Sequence, residues 1–267
     1  MNRFDALLNE IDHLEQINLQ KSFLHERNPV INLLTAFLTI FAVVSFQSEQ
    51  LLMLMSIGLL LLVQFELADL KLLQFFLHIR LILPILLLFG IANPFFDKNV
   101  VFYLAGIGIT SGMISMASLF LKGMFCLAAA YLLISITGIE GICYALRKLH
   151  LPKLIVTIIM LIYRYLILLL KETRNLTLAY SLRAVSQKGI HIKVWGSLAG
   201  LLLLRSIDRA QDVYESMSLR GFSGEYFLKR VEGITRIDVA YLSVVFVVLM
   251  VFRILPVFEL IGSLFQT

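Results

Sequence analysis

Apolar residues are concentrated in long runs, and short polar or charged segments separate these runs. The runs cover residues 30–46, 51–65, 81–96, 113–137, 154–170 and 239–265. Most of them approach the length of about 20 residues that an α-helix needs to cross the hydrocarbon core of a bilayer. A further apolar run, 194–204, has only about half of that length. The pattern predicts an all-α fold, that of a polytopic helical membrane protein.

The segment before the first run has a different periodicity. Its apolar residues recur at helical spacing with acids between them: Phe4, Leu7, Leu8, Ile11 and Leu14. This spacing predicts an amphipathic helix that lies on the membrane surface or on a neighbour, and Asn28-Pro29 ends it. No cleavable signal peptide is predicted, because no basic region leads an apolar core.

Charge distinguishes the run 154–170 from the other long runs. Arg147, Lys148 and Lys153 precede it, Lys171 and Arg174 follow it, and Arg164 lies within it. Basic residues at both ends and in the middle favour a helix along the cytoplasmic interface. A true crossing is the alternative. In the run 81–96, Pro84 and Asn93-Pro94 predict kinks.

The remaining runs give five predicted crossings, with the N-terminus inside and the C-terminus outside. The loops near Gln47 and Asp97 are poor in bases, as expected for the outer face. Four segments follow from this topology. They are an amphipathic N-terminal segment (1–29), a four-helix transmembrane region (30–137), a cytoplasmic or interfacial module (138–238) and a C-terminal transmembrane helix (239–267).

The stretch 171–225 carries the same tripeptide, Ser-Leu-Arg, at the ends of two charged, helix-favouring segments. One apolar stripe is predicted for each helix. The first comprises Leu169, Thr173, Leu176 and Tyr180, and the second Leu203, Ile207, Ala210, Tyr214 and Met217. Gly221 suits the left-handed position just past a helix end. Each helix therefore presents an arginine at its C-terminal tip, where the helix dipole favours a cation.

The repeated tips are the candidate site for docking a partner. The candidate residues are Ser181, Leu182, Arg183 and Ala184 in the first tip, and Ser218, Leu219, Arg220 and Gly221 in the second. The alternative is that both arginines are ordinary C-terminal helix residues. Two copies beside a membrane domain favour docking.

Composition supports the membrane assignment and narrows the partners. The chain has 59% hydrophobic and 15% charged residues, and its mean hydropathy is +0.88. A soluble domain is nearer half apolar and a quarter charged. The net charge of +5 suits a basic cytoplasmic face and calls for no nucleic-acid partner. The two cysteines, Cys126 and Cys143, do not indicate a disulfide framework.

Motifs for catalysis, nucleotide binding and metal binding are missing from the sequence. It has no P-loop and no His-Glu-x-x-His, and its five histidines lie in separate segments. No cofactor and no metal site are predicted. Lys122 lies inside a predicted span, where it is either functional or bound to an interface or a carbonyl group. A membrane enzyme and a self-contained carrier or channel are the rival interpretations, and an activity assay or liposome uptake with this chain alone would distinguish them.

At the two Ser-Leu-Arg tips the chain resembles the transmembrane T components of energy-coupling-factor (ECF) importers, a branch of the ABC transporters. The CbiQ subfamily for cobalt or nickel is the more similar one. The matching stretches are 91–97, 143–149, 163–165, 193–198 and 204–210, with 22–25 and Asn28-Pro29 at the entry to the first span. Two positions depart from the family pattern: Ala184 stands where glycine is common, and Asn32 where a basic residue is usual.

The resemblance implies a role, a set of partners and a location. It implies a non-catalytic subunit in the cell membrane of a prokaryote. Two ABC ATPase subunits would each receive one arginine tip, and the membrane region, surrounded by lipid, would hold a metal-binding substrate-binding S component. A T component that serves a vitamin transporter is the alternative, because it has the same fold and tips.

Overall fold

The computed structural model describes residues 22–47, 50–96, 100–104, 107–183, 191–222, 224 and 233–254. The helices are α1 (Pro29–Ser45), α2 (Leu51–Leu67), α3 (Leu72–Ile79), α4 (Leu83–Ile91), α5 (Asn93–Phe96), α6 (Ser111–Lys148), α7 (Lys153–Arg183), α8 (Ile192–Leu219) and α9 (Arg236–Ile254). The strands β1 (Val100–Leu104) and β2 (Ile107–Thr110) form one antiparallel hairpin. The predicted amphipathic helix at 4–14 and the end of the last apolar run lie outside the described residues.

The chain divides into two compact units. The first comprises residues 20–138 and 231–267, and the second contains 139–230. The boundary coincides with Gly138 in α6, whose backbone has φ 62° and ψ 172°. Glycine adopts this left-handed conformation readily because it has no Cβ atom. The kink at Gly138 therefore ends the first part of α6 and begins the second.

The core of the first unit is formed where α9 packs against α1 and α2. Val43, Leu54 and Ile57 are completely buried. On α6, Ala128, Ala129 and Ser118 are buried as well, as the small residues of this run predict. Burial of small side chains brings the helix backbones close together, which increases dispersion contact in a lipid environment.

Capping groups fix the ends of α1 and α9. The Asn28 side chain accepts a hydrogen bond from the Val30 amide at 3.0 Å, so it is the N-cap of α1. At α9, the Thr235 amide donates to Asp238 at 2.9 Å and the Asp238 amide donates to the Thr235 hydroxyl at 3.3 Å. This reciprocal pair satisfies two amide groups that the helix leaves without intrahelical partners. The Asp238 carboxylate also pairs with Arg27 at 3.5 Å.

Lys122 contacts the carboxyl end of α1. Its ammonium donates to the Phe46 carbonyl at 2.6 Å, and Arg253 donates to the Ser45 carbonyl at 3.2 Å. Helix C-termini favour cations because their last carbonyl groups have no intrahelical partner. Of the two interpretations of Lys122, the structure therefore supports the contact with a carbonyl group.

The chain turns back sharply after α2. Helices α2 and α3 are bent by 113° at the break between them. Phe65 on α2 packs edge-to-face on Phe75 of α3, with ring centroids 5.4 Å apart, and both rings contact Tyr131 of α6. These aromatic contacts hold the bend against α6. The segment between the apolar runs 51–65 and 81–96 is thus partly helical.

The predicted third span, 81–96, is not a single helix. It comprises the nine residues of α4 and the four of α5, and nine helical residues extend only about 14 Å. Pro84 lies in the first turn of α4, and α5 begins at Asn93-Pro94 after a break at Ala92, so the predicted kinks are breaks. The loop predicted after this run contains the β1–β2 hairpin. The crossing of the membrane by this run stays a prediction.

Within the described residues, three helices are long and apolar enough to cross a membrane, or up to four if α2 and α3 together make one span. The three are α6, α7 and α9, and α1 is shorter at 17 residues. The fold is that of an all-α polytopic membrane protein with one small hairpin. The count of five crossings excludes α7, yet α7 is also long and apolar enough to cross a membrane. The count of five and the cytoplasmic location of 138–238 therefore stay predictions.

Candidate functional site

Helices α7 and α8 of the second unit carry both arginine tips. They have 31 and 28 residues, so they extend about 46 and 42 Å. Arg205 of α8 donates a hydrogen bond to the Glu172 carboxylate of α7. Leu168 and Asp208 line a cleft beside this ion pair. The two helices therefore cross near Glu172 and Arg205, in the middle of each helix.

The two helices run in opposite directions past this crossing. The part of α7 before it and the part of α8 after it line one apolar groove of about 450 Å³. Leu154 and Phe222 line this groove, as do Leu169 and Ser206 nearer the crossing. The Thr157 hydroxyl at the start of α7 also lies 3.5 Å from the Gly224 carbonyl beyond α8. Arg220 therefore lies beside the start of α7, at the opposite end of the pair from Arg183.

The first tip occupies the last turn of α7. Ser181, Leu182 and Arg183 are all exposed there, and Leu182 is 70% exposed. The Ser181 hydroxyl donates to the Leu178 carbonyl at 2.8 Å, which leaves the leucine and arginine side chains to face outward. Ala184, the fourth predicted residue of this tip, lies outside the described residues.

The second tip follows the end of α8. Ser218 and Leu219 are its last helical residues, and Leu219 is 90% exposed. The Phe222 amide donates to the Met217 carbonyl at 3.0 Å, and the Gly221 amide to the Ser218 carbonyl at 3.0 Å. These two bonds with Gly221 at φ 74° form a Schellman motif. The prediction that Gly221 has a left-handed backbone is confirmed, and the motif fixes the position of Arg220.

The residues that line the groove between α7 and α8 differ in part from the predicted stripes. Ala210, Tyr214 and Met217 line it. Leu203 and Ile207, predicted for the same stripe, do not. On α7, only Leu169 of the predicted four residues lines the groove. The Glu172–Arg205 ion pair joins the two helices at their crossing, and helical periodicity contains no information on such a contact.

A second cavity of about 450 Å³ lies between the part of α6 after Gly138 and the middle of α7. It combines apolar walls with Glu140, Tyr163, Arg164 and Lys171. The sequence singles out Arg164 only by its place in an apolar run. Glu140 was missed, since only the fold brings α6 and α7 together at this point.

Metal-binding side chains are dispersed in the described part of the chain. It contains no group of three or more His, Cys, Asp or Glu residues that could hold a metal ion. Two of the histidines that it covers have contacts within their own segments, and the His78 ring also lies 5.6 Å from the Tyr131 ring of α6. His25 lies 2.6 Å from the Ser22 hydroxyl, and the His78 ring lies 2.7 Å from the Gln74 carbonyl.

Comparison with known proteins identifies the family. The sequence model of the CbiQ family, described as cobalt transport proteins, matches residues 20–232. A protein of Methanocaldococcus jannaschii that is described only as uncharacterized is 28% identical over 216 residues, which cover 77% of this chain and 74% of the relative. With its long apolar helices, the chain is a multi-pass protein of the cell membrane, and it belongs to the CbiQ family of cobalt transport proteins.

Proposed function

We propose that this chain is the transmembrane coupling subunit, or T component, of an ECF-type ABC importer for cobalt or nickel. In this role it performs no catalysis itself. Two ABC ATPase subunits supply the free energy of ATP hydrolysis, and a metal-binding S component carries the ion. The family is one of transport proteins, which supports the assignment to an importer.

The observation that carries the proposal is the placement of the two tips. Each presents an arginine beside a leucine that is at least 70% exposed, and the two lie at opposite ends of one crossed helix pair. An exposed leucine next to an arginine suits a protein groove that has an apolar floor and a carboxylate, because the guanidinium makes bidentate contact with carboxylates. Two separated tips suit two copies of one ATPase.

The crossing gives these tips a common pivot. From Glu172 to Arg183 the α7 arm is 11 residues, or about 16 Å, and from Arg205 to Arg220 the α8 arm is 15 residues, or about 22 Å. A rotation of about 5° at the crossing moves the α7 tip by about 1.4 Å and the α8 tip by about 1.9 Å. ATP-driven closure of the ATPase pair would therefore change the crossing angle and the groove, and through them the S component.

The test is charge reversal at both tips in the complete complex. Arg183→Glu and Arg220→Glu are made singly and together, with the ATPase subunits and S component co-expressed. Loss of one charged contact at an interface lowers the binding free energy by about 2–5 kcal/mol. The double variant is expected to lose both copurification of the ATPases and cobalt uptake by cells.

Arg174→Glu is the matched control, since it makes the same charge change on an exposed position of the same helix. It should keep both assembly and uptake. Full assembly and uptake by the double variant would refute the anchoring role. An intact complex that imports a vitamin and neither metal would refute the assignment of the cargo only.

A further inference from the structure

The cavity between α6 and α7 lies apart from the arginine tips. Its walls are mostly apolar and include Ile139, Met160, Leu161, Ile167 and Leu168, and its volume of about 450 Å³ is that of a ligand-sized pocket. Three charged side chains line it: Glu140 of α6 and Arg164 and Lys171 of α7. An apolar cavity with a few convergent polar groups has the composition of a binding site.

The two cations lie on one face of α7, because residues seven apart are separated by two helical turns. Glu140 lines the cavity as well, so the net formal charge of the three side chains is +1. The Arg164 guanidinium has five N–H donors, so it can contact a protein neighbour and a ligand at the same time. Tyr163 adds a hydroxyl donor. This donor set favours an anion with several acceptor oxygens, such as a phosphate diester.

The charges also indicate the depth of the cavity. Ionisable side chains are costly at the centre of a bilayer, and three of them round one apolar cavity suit the headgroup region. Met160, Leu161, Ile167 and Leu168 give the same cavity apolar walls. A ligand with a phosphate and long acyl chains would satisfy both features, since its chains would cover these apolar walls. A small free anion would leave the apolar walls uncovered.

We propose that this cavity binds the headgroup of an anionic glycerophospholipid, with Arg164 and Lys171 holding the phosphate. Basic pockets between helices at the cytoplasmic side of membrane proteins are suited to anionic headgroups. The bound lipid would link the part of α6 after Gly138 to the middle of α7, in the turns of α7 that precede its crossing with α8. The inference rests on the cavity and not on the coupling role, so either can fail without the other.

Native mass spectrometry of the full chain in detergent, titrated with phosphatidylglycerol or phosphatidylcholine, tests the proposal. Phosphatidylglycerol should bind more tightly. Arg164→Gln and Lys171→Gln should each weaken its binding by about fivefold, and the pair by about 25-fold, since each juxtamembrane cation contributes about that factor. Glu140→Gln should instead strengthen binding by severalfold, which a folding defect would not produce.

Two controls separate this site from general electrostatics. Arg174→Gln removes a charge from the same helix outside the cavity and should leave the affinity unchanged, and Arg164→Lys should retain most of the binding. Equal affinities of the wild type and the Arg164→Gln/Lys171→Gln variant would overturn the proposal. Full displacement of the lipid by an equal concentration of glycerol 3-phosphate would also overturn it, because the ligand would then be a soluble phosphate.

Discussion

Replacement of Asp238 by alanine tests how α9 is held in the first unit. The Asp238 side chain is 3% exposed and its partner Arg27 is 10% exposed. The change removes the carboxylate that accepts the Thr235 amide, and it leaves the Arg27 guanidinium without this partner. Arg27 retains the Phe23 carbonyl at 3.2 Å and the Phe23 ring at 4.1 Å.

The cost can be estimated from these contacts. Loss of a helix cap costs about 1 kcal/mol, and breaking a buried ion pair by removing one partner costs about 3–5 kcal/mol. Because the pair is 3.5 Å apart and Arg27 keeps its contacts with Phe23, we expect the lower end of the ion-pair range and therefore a loss of about 4 kcal/mol in total. For a protein of this size that corresponds to a decrease of about 8–16 °C in Tm.

The assay is thermal unfolding of the purified protein in detergent, for Arg27→Ala, Asp238→Ala and the double variant. The loss in free energy of unfolding in the double variant should be smaller than the sum of the losses in the two single variants, by about 1 kcal/mol or more. This is expected because Arg27 and Asp238 are in contact. Asp212→Ala, an exposed carboxylate of α8, should change stability by less than about 0.5 kcal/mol. Strict additivity in the cycle would refute the pairing of Arg27 with Asp238.

Two further predictions concern single contacts. Lys122→Met removes the donor to the Phe46 carbonyl and should lower the free energy of unfolding by about 1.5–3 kcal/mol in the same thermal unfolding assay. Lys148→Met is the control and should change the free energy of unfolding little. Gly221→Ala strains a backbone at φ 74° by about 1–2 kcal/mol and should weaken ATPase copurification while the chain stays folded. Gly221→Asn should weaken ATPase copurification less, because asparagine tolerates this conformation. Equal copurification by the wild type, Gly221→Ala and Gly221→Asn would contradict the role of the turn.

Local signals in the sequence predict the helices and their ends well. Asn28-Pro29 begins α1 and Gly221 ends α8, because each acts through the backbone of its own segment. In the run 81–96 the prolines indicate where the helix is interrupted, but hydropathy does not distinguish a kinked helix from a broken one. For the tips, the sequence supplies the candidate residues, whose docking role stays a prediction, but it does not indicate their separation, since that depends on the opposite directions of α7 and α8. The cavity with Glu140 and Arg164 depends on contact between residues 24 positions apart, which periodicity cannot indicate.

The placement of the tips also decides how α7 must lie if the coupling proposal is correct. Arg183 ends α7, whereas Arg220 lies near its beginning, where Thr157 approaches the Gly224 carbonyl. If α7 crossed the bilayer, its length of about 46 Å would put the two arginines on opposite faces of the membrane. Both could then not reach ATPases on one face. The coupling role therefore requires α7 to lie along the interface, although α7 is long and apolar enough to cross.

Cysteine labelling in intact cells tests this requirement directly. In a chain with Cys126→Ala and Cys143→Ala, single cysteines replace Lys148, before α7, and Ser181, at its end. With an impermeant thiol reagent, both positions should react only after lysis. A cysteine at Gln47, in the predicted outer loop after α1, is the positive control and should react in intact cells. Labelling of position 181 but not 148 from outside would establish that α7 crosses, and it would refute the coupling role of Arg183 while leaving the membership of the family unchanged.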